Sequence, residues 1–284
     1  MDYYIVIPIH NEEAFLKSTL DSILQQTLLP KEVILVNDNS TDNTESIIDQ
    51  YCSENTLFKK LNSTSSKQHM PGSKVINAFN KGLSLLDSNY DFIVKLDADV
   101  ILPSNYFEVI SAHFKTNKNL GIAGGFIYEQ NSTGKWVLNH PMDKDHVRGA
   151  IKAYSKACFK AIDGLKNAMG WDTVDELLAR FHEFSILTDS QLKVKHLRPT
   201  GKAYNAKAKR LQGKAMYTMR YGFTITCIAS LKMAMKNKSI MSFWNNMLGY
   251  IQATRNNTAY LVTEEEGKFI KDLRWKNIKR KIKA

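Results

Sequence analysis

The chain has 284 residues, 43% of them apolar and 24% charged, with 39 Lys+Arg against 28 Asp+Glu for a formal charge of +11. That length and apolar content can bury a substantial core and exclude a disordered, collagen-like or coiled-coil chain. Three cysteines (Cys52, Cys158, Cys227), none in a C-x-x-C pair, exclude a disulfide framework or a cysteine-based zinc site and fit a reducing, cytoplasmic compartment.

The opening Met1-Asp2-Tyr3-Tyr4-Ile5-Val6-Ile7-Pro8 has no basic region before its apolar stretch, and no signal peptide is expected. Residues 3–9 read as a strand. Leu16, Leu20, Ile23 and Leu24 follow with helical spacing, and Pro30 closes that helix. Val33 to Val36 is a continuous apolar run, as expected of a strand buried on both faces of a parallel sheet. The polar cluster Asn37 to Asp42 comes next, where Asp42 and Glu45 resemble a capping box for a helix turning Ile47, Ile48 and Tyr51 inward. A Ser/Thr-rich loop (62–73) precedes a helix with Val75, Ile76, Phe79, Leu83 and Leu86, and then Phe92 to Leu96 reads as a strand ending in Asp97-Ala98-Asp99.

Beyond residue 100 the pattern predicts a helix near 104–116, a glycine-containing strand at 121–128 and a loop through His140-Pro141. A helical stretch over 149–162, an acidic segment from Asp172 to Glu176 leading into a helix, and a strand from Leu192 to His196 complete this region. The alternation of strands and helices predicts an α/β domain over 1–201 with a mostly parallel central sheet flanked by helices. After Gly201 the composition shifts to Lys, Met and aromatics, and 202–284 reads as a helical, basic C-terminal region.

In open sheets of this kind ligands bind beyond the carboxyl ends of the strands. Asp97 and Asp99, one residue apart at a strand end, would project to the same side in extended geometry. Two hard oxygen ligands there suit Mg²⁺ or Mn²⁺, which keep waters and complete their shell from a substrate phosphate. Asp38 and Asn11 follow other strands, so three strands would deliver polar groups to one crevice.

These residues together resemble the family 2 glycosyltransferases, with the nucleotide-sugar-binding fold called GT-A. Ile7-Pro8-Ile9-His10-Asn11-Glu12-Glu13 looks like the family's P-x-x-N-E start, and Ser22 to Thr27 like its S-x-x-x-Q-T. Val36-Asn37-Asp38-Asn39-Ser40-Thr41-Asp42 looks like its V-D-D-G-S-T-D, with Asn37 in place of the first aspartate and Asn39 in place of the glycine. Asp97-Ala98-Asp99 matches its D-x-D. The resemblance implies that Pro8, Asn11 and Glu13 shape the nucleotide pocket, that Asp38 holds the base and that Lys74 approaches the diphosphate. Asp97 would meet the ribose or the metal, and Asp99 the metal itself. It further implies a histidine near the metal, here His196, and a Gly-Ala element facing the sugars, here Arg148-Gly149-Ala150. The family's catalytic base corresponds to Asp175 in Gly170-Trp171-Asp172-Thr173-Val174-Asp175-Glu176, with Asp172 and Glu176 as alternatives. Such a carboxylate takes the proton of an attacking acceptor hydroxyl, while the metal offsets charge on the departing nucleoside diphosphate. One base and no carboxylate nucleophile imply a single displacement with inversion. The same acidic segment would equally serve as a capped helix start, and Lys74 as a solvated lysine at a helix start.

The charge is unevenly distributed: residues 1–202 hold 22 basic and 24 acidic residues, and 203–284 hold 17 and 4. Such asymmetry points to an anionic partner. Ile240, Phe243, Trp244, Met247, Leu248 and Ile251 form a helical stripe, and Arg274 to Ala284 sets six basic residues among Trp275, Ile278 and Ile282. This reads as a peripheral element at the inner face of the cell membrane, or as a helix packed back on the protein with a soluble basic tail. No uncharged apolar run reaches the ~18 residues of a membrane span. No nucleic-acid motif appears, and nucleic acid is not an expected partner.

The expected activity is therefore transfer of a sugar from a nucleotide-diphosphate sugar, UDP-linked, to a glycan or lipid-linked acceptor with Mn²⁺ or Mg²⁺. The alternative is a GT-A-fold nucleotide-sugar-binding or scaffold protein with impaired turnover, suggested by Asn37 and the altered base segment. A sugar-nucleotide pyrophosphorylase would want a glycine-rich loop after the first strand, where this chain has no glycine.

Overall fold

The computed structural model describes residues 1–65, 72–139, 146–198 and 206–283. The loop expected through His140-Pro141 and the boundary placed at Gly201 lie outside the described residues. The chain separates into two compact units, one formed by Met1–Asn167 with His182–Thr200, the other by Ala168–Phe181 with Gly201–Ala284.

The first unit contains, in chain order, β1 (Tyr3–Ile9), α1 (Leu16–Leu24), β2 (Glu32–Asp38), α2 (Thr44–Glu54), β3 (Phe58–Ser63), α3 (Ser73–Leu83), β4 (Phe92–Leu96), β5 (Val100–Ile101) and α4 (Tyr106–Thr116). It continues with β6 (Leu120–Gln130), β7 (Trp136–Leu138), β8 (Ile151–Ser155), α5 (Lys156–Ala161) and, after the segment that holds α6, β9 (Ser185–His196). Its strands form one sheet in the order β3-β2-β1-β4-β8-β6-β9-β5, with β7 on β6. The β2–β3, β1–β2, β1–β4 and β6–β9 pairs are parallel, and β8 runs antiparallel between β4 and β6. The expected α/β sheet flanked by helices is thus present, with the parallel character strongest at its β3-β2-β1-β4 end. Continuous apolar runs mark that end because both sheet faces are covered: β1 is buried apart from half-buried Pro8. Tyr3 stacks on Phe92 of β4 at 4.6 Å and meets Phe107 of α4 at 4.9 Å, tying sheet and helix into one core.

Three local readings are corrected. The stretch over 149–162 is a strand followed by a short helix: β8 inserts between β4 and β6, and only Lys156–Ala161 is helical, capped by Ser155 accepting from the Cys158 N–H. Sheet pairing overrides helical propensity there. Asp42 and Glu45 do not form a reciprocal capping box. Asp42 accepts the Thr44 N–H at 3.1 Å, while Glu45 bonds Lys60 and Asn62 instead. Asp97-Ala98-Asp99 lies in the turn between β4 and β5, so strand alternation does not bring its carboxylates together.

The second unit is helical: α6 (Trp171–Phe181), α7 (Ala206–Thr218), α8 (Phe223–Lys236), α9 (Ile240–Arg255) and α10 (Glu264–Lys283). α7 and α9 meet backbone to backbone. A Cβ on Gly213 would fall 1.8 Å from the Asn246 carbonyl oxygen, and one on Gly249 would fall 1.9 Å from that of Arg210. Only glycine permits that approach. α6 packs on α10 through Phe181 and Phe269, with ring centroids 5.6 Å apart. The predicted stripe of α9 is helical, but of its six residues only Met247 is buried. Among the described residues no helix is long and apolar enough to cross a membrane.

Candidate active site

The loops after β1 and β2, the β4–β5 turn and the end of β9 border a cleft of about 1050 Å³, lined among others by Pro8, His10, Glu12, Asp38, Lys74, Asp97, Asp99 and Arg198. Asn11, at φ 54°, takes a left-handed conformation that asparagine tolerates. Its Oδ1 accepts the Thr41 N–H at 2.7 Å, and its own N–H donates to Ser40 Oγ at 3.1 Å. Glu13 Oε2 accepts the Asn43 N–H at 2.9 Å. Asn11 and Glu13 therefore join the β1 and β2 loops into one rim, while their neighbours His10 and Glu12 line the cleft. Asp38 ends β2 at the cleft wall, its Oδ1 accepting the Ser65 N–H at 2.9 Å. Beside it, Asn37 donates to Asn62 Oδ1 at 3.2 Å and accepts the Ser40 N–H at 3.3 Å, so it bridges β2 and β3. Lys74 opens α3 at the cleft and also borders a smaller adjoining cavity of about 460 Å³ that includes Asp38.

Asp97, Asp99 and His196 offer donor atoms that all lie within 4.8 Å of one another. His196 Nε2 stands 3.2 Å from Asp99 Oδ1. Adjacent ligands ~2.1 Å from an octahedral ion would themselves be about 3 Å apart, and two carboxylates with one imidazole suit Mg²⁺ or Mn²⁺. The donor set fits a divalent cation. The turn is held from several directions: Lys95 of β4, 2% exposed, forms an ion pair with Asp97 and donates to the Gly149 carbonyl at 3.0 Å. The Asp97 N–H donates to the Ala150 carbonyl and the Leu197 N–H to the Asp99 carbonyl, both at 2.8 Å. The Gly149-Ala150 pair singled out in the sequence is therefore a backbone support for Asp97.

Burial pushes the Asp99 carboxyl up. The hydrogen bond from His196 and the charges of His196, Arg198 and Lys95 outweigh it and hold Asp99 below the usual carboxylate range. Burial likewise pushes His196 down, but its bond to Asp99 and the charges of Asp99 and Asp97, with Glu129, hold it above the ordinary imidazole value. Glu12, paired with Arg198 at 2.6 Å, is pushed up to about 7, chiefly by burial.

A supporting chain reaches His196 from behind. Its Nδ1 is 3.3 Å from Glu129 Oε1, which accepts from Asn139 Nδ2 at 2.5 Å, and Asn139 Oδ1 accepts from Arg148 at 3.2 Å. A carboxylate on the far imidazole nitrogen fixes which nitrogen faces the ligand side.

Pro8, Asp38, Lys74, Asp97 and Asp99 thus share the cleft, with His196 bonded to Asp99. Asp175 belongs to the second compact unit, in the second turn of α6, 2% exposed, with Oδ1 accepting the Glu176 N–H at 2.6 Å. Sequence reasoning missed Glu12, Lys95, Glu129 and Arg198. Arg198 lies two residues past His196, in the bend just after β9 ends, and that closeness in sequence to His196 was the available signal.

Residues 4–167, over half of the chain, match the profile described as Glycosyl transferase family 2. The chain is 29% identical over 143 residues to the glycosyltransferase EpsJ of Bacillus subtilis (strain 168), covering 50% of this chain and 39% of that one. It spans less than half the length of the curated relatives it first matches. Among solved structures it is similar to S. aureus TarS 1–349 in complex with UDP-GlcNAc, with a TM-score of 0.58, 19% identity, and 75% of this chain and 65% of that one covered. It is also similar to the mannosyltransferase PcManGT from Pyrobaculum calidifontis in complex with GDP-Man and Mn²⁺, with a TM-score of 0.56, 12% identity, and coverage of 94% and 78%. At such identities the likeness to these structures is one of fold.

Proposed function

The chain belongs to glycosyl transferase family 2, and from that premise we propose that it transfers a sugar from a UDP-sugar to a glycan or lipid-linked acceptor by a metal-assisted, inverting single displacement. It is a glycosyltransferase with a GT-A-type fold, so its general chemistry is transfer from a nucleotide sugar. The observation that carries the finer reading is the grouping of Asp97, Asp99 and His196 at a cleft that also presents Asp38 and Lys74.

In this reading Asp38 accepts hydrogen bonds from the base, and Lys74 lies against the diphosphate. Asp97 meets the ribose or shares the cation with Asp99 and His196, while Lys95 keeps the Asp97 carboxylate oriented. A divalent cation bound there supplies Lewis-acid stabilisation of the leaving diphosphate. Asp175, with Asp172 and Glu176 as the alternatives, takes the proton from the acceptor hydroxyl. Since no carboxylate nucleophile is needed, the anomeric centre inverts. The reading places the protein in the cytoplasm with its basic C-terminal region against the membrane surface, supported by the charge excess of 203–284.

Calorimetric titration with UDP and with GDP, each with Mn²⁺ and with chelator, tests it. Mn²⁺-dependent binding of UDP is expected. Binding of GDP alone would move the donor class, and binding of neither would favour a scaffold protein that keeps the fold without turnover.

A further inference from the structure

Helix α9 carries most of its large apolar residues outward, Met247 being the buried exception. At ~100° per residue, Ile240, Met241, Trp244, Leu248 and Ile251 fall within an arc of about 100°, and all five are exposed, Ile240 by 66% and Trp244 by 57%. The opposite arc holds Ser242, Asn245, Asn246, Gly249 and Ala253, small or polar and all buried. α8 repeats the arrangement in part, with Ile228, Leu231 and Met235 exposed and Thr226, Ser230 and Ala234 buried, together with Ile225 near its start.

A helix surrounded by water has the reverse pattern. Small residues at a close helix–helix contact and large apolar ones outside is how helices pack when their surroundings are lipid, and the Gly213–Gly249 approach of α7 to α9 is such a contact. Large apolar residues exposed side by side along a helix mark an interaction surface more than scattered single ones do. The charge beside the patch selects its occupant. Lys232 and Lys236 each follow an exposed apolar residue of α8 by one position, and Lys238 lies between α8 and α9, in a region with 17 basic and 4 acidic residues. Packing against a second copy would set that basic border against itself. Anionic headgroups complement it.

We propose that the outward apolar face of α8 and α9, bordered by Lys232, Lys236 and Lys238, is the surface by which this protein lies in the headgroup layer of an anionic membrane. The inference rests on the peripheral-membrane part of the reading above and moves the contact from the Arg274–Ala284 tail to α8 and α9. No helix among the described residues is long and apolar enough to cross a bilayer, and an outward apolar face bordered by lysines suits a place in the headgroup layer.

The test is flotation of the full chain with vesicles of phosphatidylcholine alone and of phosphatidylcholine mixed with phosphatidylglycerol, with the mass in solution followed by light scattering. Wild type should float with the anionic vesicles only. Trp244→Ser with Leu248→Ser should weaken that binding roughly tenfold or more, and Lys232→Glu with Lys236→Glu should do so in a salt-sensitive manner. UDP titration in parallel reports that each variant keeps its cleft. If the α9 variants float as wild type does and only removal of 274–284 releases the protein, the membrane reading stands and this surface is wrong. If wild type ignores both vesicles, both fall. If the α9 variants instead convert a dimer to a monomer without any vesicle effect, the face is an interface between copies and the proposal is overturned.

Discussion

Lys95 shows how one buried side chain sets what each neighbouring aspartate can tolerate. It is almost wholly enclosed and paired with Asp97, so Asp97→Ala takes the paired carboxylate away from a buried ammonium. Removing one partner of a fully enclosed pair costs ~3–5 kcal/mol. The Asp97 side chain is 33% exposed, so a smaller loss of about 2 kcal/mol is expected, read as a lower urea midpoint. Asp99→Ala leaves the Lys95 pair intact. It should keep the fold and lose Mn²⁺-dependent nucleotide binding, and unchanged affinity would remove Asp99 from the cation site. Glu129 acts one bond further out, on His196 Nδ1. Glu129→Gln should weaken Mn²⁺ affinity about tenfold with nucleotide binding in chelator unaltered, and equal loss in both conditions would argue for general damage to the cleft.

At the scale of elements, strands read best where both sheet faces are covered. β1 is an unbroken apolar run, and β2 and β4 are built on the runs Val33 to Val36 and Phe92 to Val94, so all three were legible, whereas β3 was not read as a strand. β3 is the sheet edge and carries Lys59 and Lys60, the charged decoration that edge strands use against unwanted pairing. β8 hid for a different reason: its five residues run without a break into the helix Lys156–Ala161, and the two were read as one helical stretch. Motif residues at strand ends were legible because topology delivers them to one crevice. The Glu12–Arg198 pair was not, for its partners lie 186 positions apart in the chain. The α9 stripe was legible as a helix, but periodicity alone does not tell which side faces inward. The glycine contact does, and Gly249→Ala should destabilise the helical unit by ~1–3 kcal/mol through overpacking, measured by urea unfolding. No change would mean that α7 and α9 can separate without cost.

At the scale of the whole molecule, the residues expected to do chemistry are divided between the two units. The cation donors belong to the first and Asp175 to the second. Asp175→Asn should abolish transfer while leaving UDP titration with Mn²⁺ unchanged, since Asp38, Lys74, Asp97, Asp99 and His196 are all kept. Retained transfer would assign the base to Asp172 or Glu176.

The division also has a consequence for biosynthesis. α6 is made before β9, yet the unit it joins is otherwise built from residues after 200, its partner α10 among them. On the ribosome the sheet can close around β9 while Trp171, Leu177 and Leu178, buried in the finished protein, still lack the helices of their own unit. Chains released early would carry that uncovered helix, so chaperone dependence and protease sensitivity should concentrate at 168–181 until α10 has emerged.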